Sequence, residues 1–535
     1  RIEFLLNLQA QGQDVILISD MYLPESVIRT MLHQADSRLD NIPLYLSSST
    51  GYQKSTGKIY KHIFFEKKYQ YEKWVHYGDN AHADGAVPRK FAIETRVHHI
   101  DSFIPFESRL IHSAPNSCKY EAYQLATLMH RYRQNKLSSD SSISNSEFEK
   151  SYYAYAYAGS LLVPYIHWTI LDALERGYET LYFISRDGHY LKLIADALIE
   201  KNSYPIKTKY IYGSRKVWRL PSFIHTVDDE MFGPFGNFVG MDSFQDLVRA
   251  SYLSEDELLA LFPEFESLKQ ARHLRGETAE NIRKTLSNSE IYRQKILALA
   301  AEKRVIVNQY LRENIDFSEK FAFVEFWGRG YTQDTFTRLL TDAAGHALTN
   351  PFYYIRSFSP ETGSNLRHNF VLAPVNFSYF EPLFASTPYE SISEYQRVNE
   401  SVEAVIVPRL NDYHEFFQQG LIEFAEDYLK IETGEPASFA RILNEHSYTY
   451  QMKESSDQFI CNVFAKLEDN ISSFGEMKEY APVLSIQQLE SVRDKKDLDQ
   501  LTSSAAISLS RSHQDVRAYY QKIFQKMKLP AVNST

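Results

Sequence analysis

Residues 1–12 (RIEFLLNLQAQG) carry apolar side chains at helical spacing and stop at Gly12. DVILIS (14–19) is a short apolar run rich in branched residues, which predicts a buried parallel strand. PESVIRTMLHQA (24–35) puts Pro24 at a first helical position. PLYLSS (43–48) predicts a second strand, GKIYKHIFFEKKY (57–69) a helix, and KWVHYGD (73–79) a third strand. ADGAVPRKFAIE (83–94) then leads to a last strand at ETRVHHI (94–100). Strand and helix alternating in this way predict an α/β fold with a doubly wound parallel sheet. In such sheets ligands sit outside the carboxyl ends of the strands, where Ser19-Asp20, Ser47 to Lys54 and Gly78 to Asp84 fall.

A helix is expected from about Tyr120 to Lys136, followed by a polar, Ser-rich linker, LSSDSSISNS (137–146). A second, Rossmann-like α/β region starts with a Tyr-rich helix and the strand TLYFIS (180–185), which ends at Arg186-Asp187-Gly188. KTKYIYG (207–213) ends at Ser214-Arg215-Lys216, and KFAFVEF (320–326) runs into WGRGYTQDTFTRLL (327–340). NPFYYIRSF (350–358) is one more strand candidate. Beyond about residue 400 the pattern is mostly amphipathic helix, as in YHEFFQQGLIEFAEDYLKI (413–431) and VRAYYQKIFQKMKL (516–529). These shifts divide the chain into an α/β domain at 1–112, a helix and linker at 113–146, a second α/β domain at 147–395 and a helical region at 396–535.

Composition narrows the partners. A chain of 535 residues is long enough for about three domains. A formal net charge of -10 argues against a nucleic-acid binder. Cys118 and Cys461 are the two cysteines, without metal-ligand spacing, which fits a reducing compartment and excludes a disulfide scaffold. Tyrosine and phenylalanine, at 37 and 34, point to large cores ahead of sugar-stacking platforms. Residues 152–171 carry no formal charge over a membrane-spanning length, yet hold five tyrosines, Pro164 and His167. A buried helix is therefore expected in place of a transmembrane segment, and a cytoplasmic protein overall.

Gly78-Asp79 with Asp84 five residues on makes a loop that sets two carboxylates at a strand end, a suitable place for Mg²⁺. With VILISD ending in Ser19 and YQKSTGKIY supplying Lys54 (Lys58 is the second choice), the first hundred residues resemble the haloacid dehalogenase superfamily of phosphohydrolases. Three of its motifs stand in order, each at a strand end. The resemblance implies that Ser19 and Lys54 hold phosphate oxygens while Asp79 and Asp84 hold the metal. Such residues suit phosphoryl transfer, where catalysis is mostly positioning and neutralisation of charge. The superfamily's first motif, a strand with Asp-x-Asp whose first Asp is the nucleophile, should precede residue 1. DLDQ at 497–500 follows no buried strand, and in FISRDGHYL Ser185 stands where that Asp should be. The expectation is a fragment of a longer chain, or a domain that hydrolyses no phosphate through an aspartyl intermediate.

In the second region, Gly328 and Gly330 allow close backbone approach to a ligand, Arg329 adds charge, and the following helix start faces an anion. Glu325 could take ribose-type hydroxyls or a metal. Arg186, Asp187 and Gly188, with Ser214, Arg215 and Lys216, lie at two more strand ends and would converge on one phosphate-binding crevice. Glu381, in a polar loop, is a candidate acceptor contact. FISRDGHYL, IYGSRK and WGRGYTQ resemble a group of large bacterial proteins encoded with surface-polysaccharide genes. Some of that class look like phosphoribosyltransferases coupled to a phosphatase, although VEFWGRGYT has one acid where two are usual. The resemblance implies a capsule or O-antigen enzyme that takes a phosphorylated sugar or sugar-diphosphate donor and a glycan acceptor, in association with an assembly complex. The alternatives are a phosphohydrolase with a substrate-recognition platform, or an inactive scaffold. The basic end QKIFQKMKL (521–529) is expected to be a solvated terminal helix.

Overall fold

The computed structural model describes residues 2–68, 70–97, 103–139, 144–227, 229–233, 236–271, 273–361, 363–372, 380–409, 411–431, 435–444, 457–469 and 478–524. The chain divides into two compact units, Arg1–Ser102 and Phe103–Thr535.

The first unit runs α1 (Ile2–Ala10), β1 (Leu17–Ser19), α2 (Glu25–Ala35), β2 (Leu44–Leu46), α3 (Lys58–Glu66), β3 (Val75–Gly78) and β4 (Glu94–Val97). Residues 98–100 of the last expected strand lie outside the described residues. β1 is parallel to β2, with Ser19 opposite Leu46, and β3 is parallel to β4, with Gly78 opposite Val97. Among the described residues no ladder joins the two pairs. They share a helix instead. Ile59, Tyr60 and Ile63 of α3 pack in one cluster with Ile16 and Ile18, Tyr45, Trp74 and Ile93, which belong to or precede the four strands. Parallel strands are normally buried on both faces. Here β1 is half-buried along its length, and neither α1 nor α2 buries a residue. The continuous sheet expected from the sequence is thus present as two parallel pairs held on one helix.

The second unit begins with helices α4 (Pro105–Ser113), α5 (Lys119–Ser139) and α6 (Asn145–Tyr152). A wide helical segment, Tyr153–Gly159, carries α6 on into α7 (Ser160–Glu175). Then follow β5 (Thr180–Ile184), α8 (Gly188–Asn202), β6 (Lys207–Ile211), a mainly helical insertion ending in α9 (Glu290–Asn314), β7 (Phe321–Val324), α10 (Tyr331–Ala344), β8 (Asn350–Tyr354), β9 (Asn365–Asn369) and α11 (Tyr413–Tyr428). The five strands form one parallel sheet in the order β6-β5-β7-β8-β9. Side chains alternate across it, as the pleat requires. Leu181 and Phe183 join the core containing α7, α8 and α11, while Tyr182 and Ile184 join the core containing α9 and α10.

The tyrosine-rich stretch is buried. Tyr152, Tyr153, Tyr155, Tyr157 and Tyr165 are all fully covered. Four of their hydroxyls reach acceptors far away in sequence: Tyr152 donates to Glu107 (2.6 Å), Tyr155 to Asp427 (2.8 Å), Tyr157 to Asp457 (2.7 Å) and Tyr165 to the carbonyl of Glu325 (2.6 Å). Among the described residues, no helix is long and apolar enough to cross a membrane.

Close contact between the tyrosine-rich stretch and α11 depends on two glycines. A Cβ on Gly159 would lie 2.7 Å from Phe424 Cγ, and one on Gly420 would lie 2.5 Å from the Ser151 carbonyl oxygen. Gly420→Ala is therefore expected to cost about 1–3 kcal/mol of stability by overpacking. Urea denaturation beside the exposed control Gln418→Ala, expected to be near neutral, checks this.

His167 lies in the same core, within hydrogen-bond distance of the hydroxyls of Tyr204 (2.9 Å) and Tyr428 (3.2 Å). Burial pushes it down to about 4. The unfolded chain takes up a proton near pH 6.5, which the folded chain refuses until about 4. The His167 contribution is therefore complete above pH 7 and declines as pH falls between those values. His167→Gln is expected to narrow the stability difference between pH 7.5 and pH 5 by about 1–2 kcal/mol, read from urea midpoints.

Candidate ligand sites at the strand ends

In the first unit three loops meet at the carboxyl ends of the strands. The Asp20 carboxylate, just past β1, accepts the Lys54 backbone N–H at 2.8 and 3.1 Å. That fixes the loop from which Lys54 Nζ reaches Asp84 Oδ1 at 2.7 Å. Oδ1 also takes a hydrogen bond from His76 Nε2 at 2.9 Å, and Oδ2 accepts Asn80 N–H at 3.0 Å. Asn80 in turn caps the turn carrying Asp84, accepting from His82 N and Ala83 N. Gly78 belongs to this arrangement, since a Cβ there would overlap the Asp84 carboxylate.

Asp84 is only 1% exposed. Burial alone would raise its carboxyl, but the bonds from His76, Lys54 and Asn80 outweigh burial and hold it below its ordinary value. His76 is lowered, chiefly by burial. Asp79, by contrast, is exposed. Ser19 sits half-buried at the end of β1. Lys58, the second choice, lines a cleft of about 480 Å³ with Asp20, Ser47, Ser48 and Thr56, whereas Lys54 is committed to Asp84. The two acids expected to hold a metal thus differ: Asp79 is open to solvent, and Asp84 already holds three donors. No cluster of three or more His, Cys, Asp or Glu suited to a metal occurs among the described residues.

Lys54→Met would leave the buried Asp84 carboxylate short of its ammonium partner. A loss of about 1–3 kcal/mol in the first unit is expected, largely relieved when Asp84→Asn is added. A double-mutant cycle in urea measures this, with a coupling near zero as the contrary result.

In the second unit the strand order decides where a ligand sits. Chain order along the sheet is second, first, third, fourth, fifth, so the connections leave in opposite directions between β5 and β7. The loops at that switch point carry Arg186, Asp187 and Gly188 on one side and Glu325 on the other. Gly188 permits α8 to start tight against β5, because a Cβ would lie 2.7 Å from the Phe183 carbonyl carbon. Ser185 ties the ends of β5 and β6, donating to Gly213 O at 2.6 Å and accepting Gly213 N–H at 2.8 Å.

The charges at this point are incompletely matched. Burial pushes the Glu325 carboxyl up to about 7, and the neighbouring Asp187 charge adds to the rise, against hydrogen bonds from Tyr354 and Thr332 and the charge of Arg215. Burial raises Asp187 too, opposed by the charges of Arg186 and Arg215. Burial lowers Arg186, whose neighbours include Asp187, Arg409 and Glu381. Among the described residues, no side chain hydrogen-bonds or ion-pairs within 4 Å with Arg186, Asp187 or Arg215.

The other expected donor contacts serve the fold or lie outward. Ser214 caps the short helix Arg215–Trp218, accepting Lys216 N–H and donating to Ile392 O. Lys216 and Arg329 are exposed. Gly330, at φ 79°, leaves room for the buried Arg367 guanidinium, which bonds Gln333, Asp334 and Pro360 O. A Cβ on Gly328 would meet nothing within 4 Å, so packing imposes no requirement there. Glu381 accepts from Trp327 Nε1 at 3.0 Å.

Sequence reasoning missed Asp20 as a loop anchor and His76, Ser185, Tyr354 and Arg367 as partners. Asp20 and Ser185 stood in the quoted motifs; the other three had no local signal. No protein-family model matches the chain, and a search of curated proteins finds no relative.

Proposed function

We propose that the chain is a two-unit enzyme of bacterial surface-polysaccharide assembly, a phosphohydrolase-type unit followed by a transferase-type unit. The second unit takes a sugar bearing a diphosphate, of the phosphoribosyl type, and passes the sugar to a glycan hydroxyl. In that step the acceptor oxygen forms a bond to the sugar carbon, the bond from that carbon to the diphosphate breaks, diphosphate leaves with the electron pair, and the hydroxyl proton passes to solvent. Arg186 and Arg215 hold the diphosphate and offset the charge that grows on it.

One observation carries the reading: Arg186, covered for most of its surface at the switch point of a parallel sheet, has no side-chain partner among the described residues, and the exposed Arg215 after β6 acts on the same carboxylates. A largely buried guanidinium is ordinarily paired, and an unpaired one marks a place for an anion. For the first unit the support is the convergence of Ser19, Lys54 and Asp84 at strand ends. Mg²⁺ there would use Asp79 and share the Asp84 carboxylate that Lys54 now holds. Hydrolysis through an aspartyl intermediate would need a nucleophile these residues do not supply.

Calorimetric titration with phosphoribosyl diphosphate and Mg²⁺ tests the transferase half. Saturable binding is expected, weakened at least about tenfold by Arg186→Met or Arg215→Met and little changed by Arg329→Ala. Absent binding, or binding indifferent to both arginines, removes the transferase half. A phosphohydrolase with a recognition platform then becomes the better account.

A further inference from the structure

Past the ends of β7 and β8 the two chains stay together for a short distance. Trp327–Gly328 and Arg356–Ser357 form a second parallel ladder, with Arg356 in register with Trp327. It lies at the same carboxyl end as Glu325, but over β7 and β8, away from β5. Partners in register point to one face of a parallel ladder, and a residue two positions on returns to that face. Trp327, Arg356 and Phe358 meet accordingly. The Trp327 and Phe358 rings stand edge to face with centroids 5.6 Å apart, and the Arg356 guanidinium lies 5.5 Å from the centre of the Phe358 ring. Phe358 is 39% exposed, and Trp327 and Arg356 are half-buried. Glu381 stands at the rim, where its carboxylate accepts the Trp327 indole N–H at 3.0 Å.

The fold supplies no anion for Arg356. It makes no hydrogen bond or ion pair with a described residue, and its Nε is buried without a partner. An arginine that merely covered Phe358 would keep its head in water. A donor shut away from both water and protein carries a cost that a ligand oxygen beside it would remove. Packing accounts for Trp327, one side of which meets the core of α7, α8 and α11, but not for the open ring of Phe358 beside an unpaired cation.

Two rings at right angles offer an apolar corner to the C–H face of a sugar. A guanidinium next to them takes a carboxylate through parallel N–H donors, and a carboxylate at the rim accepts hydroxyls. A bare phosphate has no C–H face for the rings to cover and would bring more charge toward Glu381. We propose that Trp327, Arg356 and Phe358 form the acceptor subsite of the second unit and that it takes an acidic sugar, a glycan residue bearing a carboxylate. The word acceptor rests on the transferase reading above; the sugar-acid site itself stands on the geometry of these three side chains. With the diphosphate between β5 and β7 and the acceptor over β7 and β8, the two substrates flank Glu325.

Ligand-observed saturation-transfer NMR on the full chain tests this with the methyl glycosides of glucuronic, galacturonic and mannuronic acid, their neutral counterparts, and inorganic phosphate as competitor. At least one uronide is expected to saturate in the millimolar range, at least about fivefold tighter than its neutral glycoside. Arg356→Gln should abolish that preference, Phe358→Ala should weaken acid and neutral sugar alike, and Arg186→Met should change neither. Equal binding of acid and neutral forms, a preference kept in Arg356→Gln, displacement by phosphate at equal concentration, or no binding of any uronide overturns the site. Phosphoribosyl diphosphate that binds through Arg186 while no uronide binds leaves the transferase reading standing without this subsite. A uronide that binds through Arg356 while phosphoribosyl diphosphate does not bind keeps the sugar-acid site and removes the transferase reading. A near-native circular dichroism spectrum and urea midpoint for each variant ensure that lost binding is not lost folding.

Discussion

The second unit depends on a helix that buries tyrosines and must find an acceptor for their hydroxyls. An apolar residue in each place would pack as well, but without direction. A buried phenol that donates to a carboxylate fixes both partners, since leaving either one unmet costs about 1–3 kcal/mol. Tyr152, Tyr155 and Tyr157 therefore tie α6 and the wide turn after it to Glu107, Asp427 and Asp457. Burial raises the phenol of Tyr155, and the negative charge of Asp427 raises it further, so the proton stays on the phenol. The last of the series, Tyr165, donates to the backbone carbonyl of Glu325. The same core that needs hydroxyl partners thus positions the residue at the end of β7.

Strand order then turns that position into a crevice. β5 and β6 meet through Ser185, which both donates to and accepts from Gly213, so two strand ends are fixed in register. β7 follows on the other side of β5 after the insertion that carries α9. Two loops leave the sheet in opposite directions and leave a gap that no single loop would make. Arg186 and Asp187 come from one side and Glu325 from the other. The charged groups here are held by their backbones more than by one another.

Most of this architecture was legible in the chain. TLYFIS, KTKYIYG, KFAFVEF and NPFYYIRSF all contain strands, because buried parallel strands are continuous runs of branched and aromatic residues. NLRHN (365–369), which forms β9, was missed for the same reason in reverse. It sits at the sheet's edge and is largely polar, and its one buried charge, Arg367, is compensated by Gln333 and Asp334 from α10, more than thirty residues earlier. The meaning of Gly330 was lost with it. In sequence, a glycine before a helix reads as an approach for phosphate; in the fold it is the space that Arg367 fills. His76 was illegible on similar grounds, since a histidine inside a strand shows nothing of the aspartate eight residues later that it holds. In the first unit the four strands were foreseen, but not that they form two pairs, because pairing across a sheet is a non-local fact that periodicity does not encode.

The two units also show why matching letters at strand ends do not by themselves locate a site. Asp84 and Asp187 are both aspartates in loops after parallel strands, each beside a cation. Asp84 receives Lys54, His76 and a backbone N–H, and these lower its carboxyl despite near-total burial. Its needs are met within the fold, so its presence requires no ligand. Asp187 has a backbone N–H but no side-chain donor among the described residues, and burial raises its carboxyl although two arginine charges oppose the rise. A folded chain tolerates an unmet buried charge only where something else meets it or where the cost is offset elsewhere. The test of a site is therefore whether the fold leaves the charge unfinished. By that test the switch point of the second unit is a stronger candidate than the more recognisable motif of the first.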